Sequence, residues 1–133
     1  MRILFYDWDE FNGEDCRDAM KRLGHEVDTF RLNMKGYDLT PEMDEVIRQK
    51  VMKTCDDASN DNGGSDGQGK RYYDLLFSFD YFPNISEACQ KYGMSYVSWV
   101  FDCPHYTLDS HTINNEVNRV FVFDRKLFMN MVK

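Results

Sequence analysis

Hydrophobic residues along the chain concentrate in five short runs, each too short to form a helix. The runs are rich in aromatic and β-branched side chains, a composition typical of strands buried in a parallel sheet. The second run alternates imperfectly with polar residues, as expected of a strand at a sheet edge. The predicted strands cover residues 3–6, 25–32, 72–79, 95–101 and 119–123.

Amphipathic segments with helix start and stop signals separate these strands. Asn12 is a candidate N-cap and Gly24 a candidate C-terminal glycine for a helix whose apolar residues recur at helical spacing. Thr40 and Pro41 form an N-cap followed by proline at the first helical position. The predicted helices cover residues 14–23, a segment that begins at residue 41, 83–92, a short stretch at 112–117, and 124–132.

Strands that alternate with helices predict βαβ units, in which right-handed crossovers place helices on both faces of a parallel sheet. We therefore expect one Rossmann-like or flavodoxin-like α/β domain over residues 1–133, built as a three-layer sandwich. Strand order 2-1-3-4-5 is favoured, and 3-2-1-4-5 is the alternative. Residues 54–69 are rich in glycine, aspartate and asparagine, which predicts a flexible surface loop.

The chain is acidic, with 133 residues and a formal net charge of −7 at pH 7. Nucleic acids and anionic membrane surfaces are poor partners for it, because affinity for both depends on lysine and arginine. No apolar run approaches the roughly 20 residues needed to cross a bilayer, and the N-terminal run is too short for a secretion signal. We therefore expect a cytoplasmic protein with free thiols at Cys16, Cys55, Cys89 and Cys103.

Ligands of open parallel sheets bind beyond the carboxyl ends of the strands, near the switch in strand order. The first, third, fourth and fifth predicted strands are each followed at once by an aspartate. The residues that cluster with these carboxylates in the sequence are Trp8, Asn12, Pro104 and His105. An aspartate after a strand is also a common cap or turn residue, and this alternative stays open, above all for Asp80 and Asp124.

Several common kinds of site are disfavoured at these strand ends. The first strand-to-helix turn contains one glycine, Gly13, where a dinucleotide fingerprint is glycine-rich, and its carboxylates would repel a phosphate. The sequence has no P-loop motif, and the aspartates of residues 54–69 lack the spacing of a calcium loop. Asp102, Cys103 and His105 could bind zinc only with ligands from elsewhere. We therefore predict no metal and no cofactor.

The chain reads MRILFYDWDEFNGED at 1–15, KRLGHEV at 21–27, FSFDYFPNISEAC at 77–89, YVSWVFDCP at 96–104 and VFVFDR at 120–125. These segments resemble an uncharacterised N-terminal domain of bacterial glycosyltransferases. The resemblance covers nearly the whole chain outside 54–69. In those proteins the domain precedes a group-1 domain related to the spore-maturation glycosyltransferases.

The resemblance implies the N-terminal half of a GT-B enzyme, in which two Rossmann-like domains face each other across a cleft. In that architecture the C-terminal domain holds the nucleotide-sugar donor, and the N-terminal domain holds the acceptor, a glycan or another hydroxyl compound. We therefore expect a C-terminal nucleotide-sugar-binding domain as the partner, and no catalysis by this chain alone. Asp102 and His105 are the candidate general bases. The residues expected to bind substrate are Trp8, Asp9, Asn12, Gly13, Asp80, Tyr81 and Pro104.

A non-catalytic domain, either a receiver-like signalling domain or a protein-interaction domain, is the alternative function. A receiver would use acids after the first strand, an aspartate after the third strand and a lysine after the fifth. The residues that occupy such positions are Asp7, Asp9, Asp80 and Lys126.

Aromatic residues at the strand ends are expected to form an exposed apolar patch, composed of Trp8, Phe11, Tyr81, Phe82 and Tyr106. An exposed patch of this kind marks a binding surface, so we expect a solvent-open cleft or weak homodimerisation at this edge of the sheet. The alternative is that these rings fold down over the sheet as a small separate core.

Overall fold

The computed structural model describes residues 1–55, 69–101 and 106–132, which form a five-stranded parallel sheet with helices on both faces. The strands are β1 (Arg2–Tyr6), β2 (Glu26–Phe30), β3 (Leu75–Phe79), β4 (Tyr96–Val100) and β5 (Asn118–Val122). The helices are α1 (Gly13–Arg22), α2 (Pro41–Val51), α3 (Pro83–Tyr92) and α4 (Arg125–Met131). The loop predicted at 54–69 falls mostly on 56–68, outside the described residues.

All five strands are parallel and pair in the order β2-β1-β3-β4-β5. This order confirms the α/β prediction and the favoured topology, and it excludes the alternative 3-2-1-4-5. Ile3 of β1 lies opposite Val27 of β2 and Leu75 of β3. The chain places β2 on one side of β1 and then crosses to the other side of β1 to place β3, β4 and β5. The topological switch point therefore lies between β1 and β3.

Local sequence signals account for most helix ends. The Thr40 side chain accepts a hydrogen bond from the Met43 N–H at 3.3 Å, which is the predicted N-cap of α2. Gly93 ends α3 in the left-handed conformation, with φ +71°. Asn12 occupies the N-cap position of α1 but makes no capping bond, because its backbone (φ −103°, ψ 6°) lies outside the extended region that such caps adopt.

The short helix predicted at 112–117 is replaced by two 3₁₀ helices, Tyr106–Asp109 and His111–Asn114. Ser110 separates them, and its side chain accepts a hydrogen bond from the Thr112 N–H at 3.3 Å. The segment therefore consists of two single 3₁₀ turns with a polar cap between them. Short 3₁₀ helices are common in connections between larger elements. None of the described helices has the length and apolar character of a membrane-crossing segment.

The two faces of the sheet are covered unequally. The larger core lies under α2 and α3, which contribute Ile47 and Ile85 among other buried residues. The smaller core lies under α1 and is built from Ile3, Phe5, Phe77 and Phe79. On the α1 side, the β4 and β5 end of the sheet keeps large aromatic rings exposed, and Trp99 is 49% accessible there.

Polar side chains buried in the larger core tie the strand-end loops to the sheet. The Tyr81 hydroxyl is 2.8 Å from the Thr112 hydroxyl, and Asn118 of β5 donates to Tyr81 at 3.2 Å. The Ser78 hydroxyl is 2.7 Å from the Tyr96 hydroxyl, which also accepts from the Phe82 N–H. These satisfied buried groups fix the start of α3 against β4 and β5.

Buried phenols and a buried thiol predict that the fold is lost at alkaline pH. Burial, reinforced by the Glu10 carboxylate, raises the pKa of Tyr6 to about 12 from its ordinary 10.0. Burial also raises the pKa of Tyr73, Tyr96 and Cys89. Folding favours the protonated form of each group, so stability is full below the unfolded pKa and falls as pH rises through the folded pKa.

We therefore expect unfolding to begin near pH 10 and to cause a cooperative rise in tyrosinate absorbance. Far-UV circular dichroism, measured in the same titration, is expected to lose its signal over the same pH range. Complete ionisation of all tyrosines close to pH 10 with an unchanged dichroism spectrum would contradict this expectation.

Candidate functional site

A cavity of about 560 Å³ opens at the carboxyl ends of β1 and β2. This volume lies in the range typical of small-molecule sites, and the position next to a switch in strand order is where parallel sheets bind ligands. We call it the strand-end cavity. Its lining consists of Tyr6, Asp7, Trp8, Asp9, Arg31, Leu32, Asn33, Met34, Gly36, Tyr37 and Phe82.

A charged cluster forms one wall of the strand-end cavity. Arg31 donates two hydrogen bonds to the Asp9 carboxylate, at 2.9 and 3.1 Å, and one to Asp7 at 3.1 Å. The hydrogen bonds to Asp9 raise the pKa of the Arg31 guanidinium. Because Arg31 and Asp9 are largely exposed to solvent, the cluster orients these groups more than it stabilises the fold.

The backbone of Asp9 is held in the left-handed region, with φ +65°. Aspartate tolerates this conformation better than most residues, at a cost of about 1 kcal/mol. The Asp9 N–H donates to the Asp7 carboxylate at 2.9 Å, which keeps the turn closed. The turn therefore presents an exposed carboxylate at the mouth of the cavity, supported by Arg31.

Trp8 forms a second, aromatic wall. Its indole N–H donates to the Phe79 carbonyl at 2.8 Å, so the ring is fixed to the end of β3. The ring stacks parallel to Phe101, with centroids 6.4 Å apart, and meets the edge of Phe82 at 6.2 Å. Trp8 is therefore half-buried and packs against both cores, while one part of it lines the cavity.

The first turn of α1 is filled by a carboxylate of the protein itself. The side chain of Glu10 is completely buried and accepts a hydrogen bond from the Trp8 N–H at 3.0 Å. Its second oxygen lies 3.6 Å from the Arg17 guanidinium, which in turn lies over the Phe5 ring. A Cβ atom on Gly13 would collide with this carboxylate, so any larger residue requires the Glu10 side chain to move. This arrangement supports the exclusion of phosphate from the turn.

Asp80 occupies the corresponding position after β3 and also has a left-handed backbone, with φ +60°. Its side chain is buried (4% exposed), and it accepts a hydrogen bond from the Phe101 N–H at 3.3 Å. A phosphoryl donor reaches an acceptor carboxylate only from solvent, so this burial gives no support to a receiver-like role. Asp80 links the ends of β3 and β4.

The structure brings two of the predicted substrate-binding residues to the strand-end cavity, namely Trp8 and Asp9. Asn12 is exposed outside the cavity lining, and Gly13 and Asp80 are buried. Tyr81 is also fully buried, with its hydroxyl bonded to Thr112, so the expectation that it lines a cleft is wrong. The candidate general bases Asp102 and His105, together with Pro104, lie outside the described residues.

The expected aromatic patch at the strand ends is not continuous. Phe11 and Tyr106 are highly exposed, but Trp8 and Phe82 are half-buried and Tyr81 belongs to the core. The physical reason is that Trp8 and Phe82 find hydrogen-bond and stacking partners on the sheet. The five rings do not form the separate small core of the alternative either, because Phe11 and Tyr106 are exposed and Trp8 and Phe82 pack against the main cores.

The segment that follows β2 supplies the site residues that the sequence analysis missed, of which the most polar are Arg31, Asn33 and Tyr37. The signal was topological. In the favoured order β2 lies beside β1, so the residues after β2 necessarily reach the same edge as the residues after β1. Tyr37 also lines a neighbouring cavity of about 490 Å³, which extends along the start of α3 to His111.

Within residues 1–55, 69–101 and 106–132, no group of three histidine, cysteine, aspartate or glutamate side chains is arranged to hold a metal ion. No protein-family model matches the chain, and no curated protein or solved structure is significantly similar to it.

Proposed function

We propose that this chain is the acceptor-binding domain of a sugar transferase and that the strand-end cavity binds a saccharide acceptor. The observation that carries the proposal is the combination of aromatic walls, Trp8, Tyr37 and Phe82, with exposed carboxylate and amide groups at Asp9 and Asn33 in one cavity. The apolar face of a sugar ring packs on aromatic rings, while its hydroxyl groups bond to carboxylates and amides. The resemblance of the sequence to glycosyltransferase N-terminal domains supports the same assignment.

In the proposed complex the Asp9 carboxylate accepts hydrogen bonds from acceptor hydroxyls. Arg31 already occupies part of its hydrogen-bonding capacity, which holds the carboxylate in one orientation before a ligand arrives. Such preorganisation lowers the entropy lost on binding. Tyr37, at the boundary with the neighbouring cavity, would allow an acceptor longer than one ring to continue toward the start of α3.

The methyl glycosides of glucose, mannose, galactose and N-acetylglucosamine are the test ligands. Saturation-transfer NMR detects their binding, and tryptophan fluorescence measures the affinity. The chain has two tryptophans, so a Trp99→Phe background leaves Trp8 as the only one and reports on the cavity. Asp9→Asn retains the side-chain shape and the tolerance for positive φ, and we expect it to weaken binding about tenfold.

The matched control is Asp18→Asn, on the exposed surface of α1, which is expected to bind as the parent does. Absence of binding across the panel, or equal affinities for the Asp9→Asn and Asp18→Asn variants, would contradict the saccharide site. The transferase assignment has its own test. A reading frame that continues into a nucleotide-sugar-binding domain, or a transferase gene beside it, is expected, and the lack of both would count against it.

A further inference from the structure

Two aromatic residues at the β4 and β5 end of the sheet are exposed on the side that carries α1, and a third lies just past the end of β5. Trp99, Phe121 and Phe123 are 49%, 59% and 61% accessible. Trp99 lies opposite Phe121 in the β4–β5 register and contacts Phe79 of the α1-side core, which places both residues on this face. Phe123 lies in a bend directly after the end of β5 and extends this exposed aromatic surface past the strand end. We call these three residues the aromatic face.

The described helices leave the aromatic face uncovered because of the strand order. α1 joins β1 to β2 and packs over β1 and β3 through Cys16 and Met20. The connections from β3 to β4 and from β4 to β5 contribute their buried residues to the core on the opposite side, where α4 also packs through Leu127. Trp99 and Phe121 therefore remain about half exposed on the α1 side.

We propose that the aromatic face binds a second copy of this chain, so that two sheets pack face to face around a two-fold axis. Fully buried aromatic side chains each remove about 150–250 Å² from water, so three half-exposed rings offer on the order of 350 Å² per chain. A standard interface buries about 800 Å² per partner, so these rings supply nearly half of what a specific dimer needs. The neighbouring residues Val97, Phe101 and Arg119 supply further contact area.

The distribution of charge on this face selects the orientation of the axis. Arg119 lies at the start of β5, where its guanidinium is held by the carbonyls of Glu116 and Asn118 at 2.9 and 2.7 Å. The far end of the face carries Phe123. We place the two-fold axis between the two sheets and perpendicular to the strands, so that the strands of the two chains run in opposite directions. Each Arg119 then faces the partner's Phe123, which gives a favourable cation–π contact at both ends. An axis along the strands would instead bring two Arg119 side chains together.

Sedimentation equilibrium over about 1–100 µM tests the proposal, a range that covers weak biological association. We expect the mass to rise from 15.8 kDa toward twice that value. Phe121→Asp, at an exposed position, is expected to weaken the dimer at least tenfold while leaving the circular dichroism spectrum unchanged. The matched control is Phe11→Asp, at a position that is 94% exposed at the other end of the sheet, and it is expected to leave association unaffected.

The orientation is tested by disulfide trapping. Under mild oxidation, a mixture of the Arg119→Cys and Phe123→Cys variants is expected to form a cross-linked dimer, and Arg119→Cys alone is not expected to form one beyond the wild-type background. A wild-type chain that stays monomeric at the highest concentration overturns the proposal. So does a dimer that survives Phe121→Asp, a dimer that Phe11→Asp disrupts, or cross-linking of Arg119→Cys with itself.

Discussion

Replacement of Gly13 by alanine is expected to lower the free energy of unfolding by about 3 kcal/mol. The new Cβ would overlap the Glu10 carboxylate and approach the Arg17 guanidinium to 3.1 Å. The side chain of Glu10 is completely buried, so relief of the overlap requires its carboxylate to move away from Arg17. Displacement of Glu10 would leave Arg17 only its 3.9 Å contact with Asp7, and breaking a fully buried pair costs about 3–5 kcal/mol, which sets the upper end of the effect.

Urea denaturation of a double-mutant cycle measures this effect. In a Glu10→Ala background the collision disappears, so Gly13→Ala is expected to be neutral or to stabilise α1 by up to about 1 kcal/mol, because alanine favours helix more than glycine does. Gly36→Ala is the matched control, since its Cβ meets no atom within 4 Å. Equal costs for Gly13→Ala in the two backgrounds would show that Glu10 does not impose the glycine.

Replacement of Trp8 by alanine is expected to cost about 2–3 kcal/mol of stability. A fully buried tryptophan costs about 3–5 kcal/mol when it is truncated, and Trp8 is half-buried. The loss includes the hydrogen bond to Phe79 and the stacking on Phe101 and Phe82. Trp8→Phe retains an aromatic ring and is expected to lose about 1 kcal/mol, the value of one hydrogen bond.

Trp99→Ala is the control for Trp8→Ala, because Trp99 is a tryptophan of the same sheet that is 49% exposed and stacks at an angle on Phe79. Measured by urea denaturation at a concentration where the chain is monomeric, it is expected to cost less than about 1 kcal/mol, as most surface substitutions do. If Trp8→Ala were as mild as Trp99→Ala, the expected structural role of Trp8 would be contradicted. A large cost shows that Trp8 has a structural role and makes Trp8→Phe the useful variant for ligand studies.

The fold could be predicted from the sequence because its determinants are local. The α3 helix matches its predicted bounds, 83–92, because proline at its start and Gly93 at its end are signals that act within one turn. The predicted strands are longer than the observed ones where aromatic residues lie outside the hydrogen-bonded part of the strand. Residues 72–74 precede β3, although Tyr72 and Tyr73 have strong strand preferences.

The candidate site was only partly predictable, because most of it depends on contacts between distant segments. Arg31 contacts Asp7 and Asp9 because β2 pairs with β1. The sequence of neither segment alone contains this information. Tyr81 was expected at the surface but is buried, since its hydroxyl partners Thr112 and Asn118 lie 31 and 37 positions further along the chain. Hydrophobic periodicity cannot anticipate a polar partner at that separation.

The buried carboxylate of Glu10 makes the first turn of α1 a site at which the protein competes with its own ligands. A group attached by a few bonds is present at an effective concentration on the order of millimolar or more. A free phosphate ester with a similar affinity for this position would have to exceed that concentration to displace Glu10 from beside Arg17 and Gly13. The fold itself therefore disfavours phosphate binding at this turn as long as phosphate esters stay below that concentration.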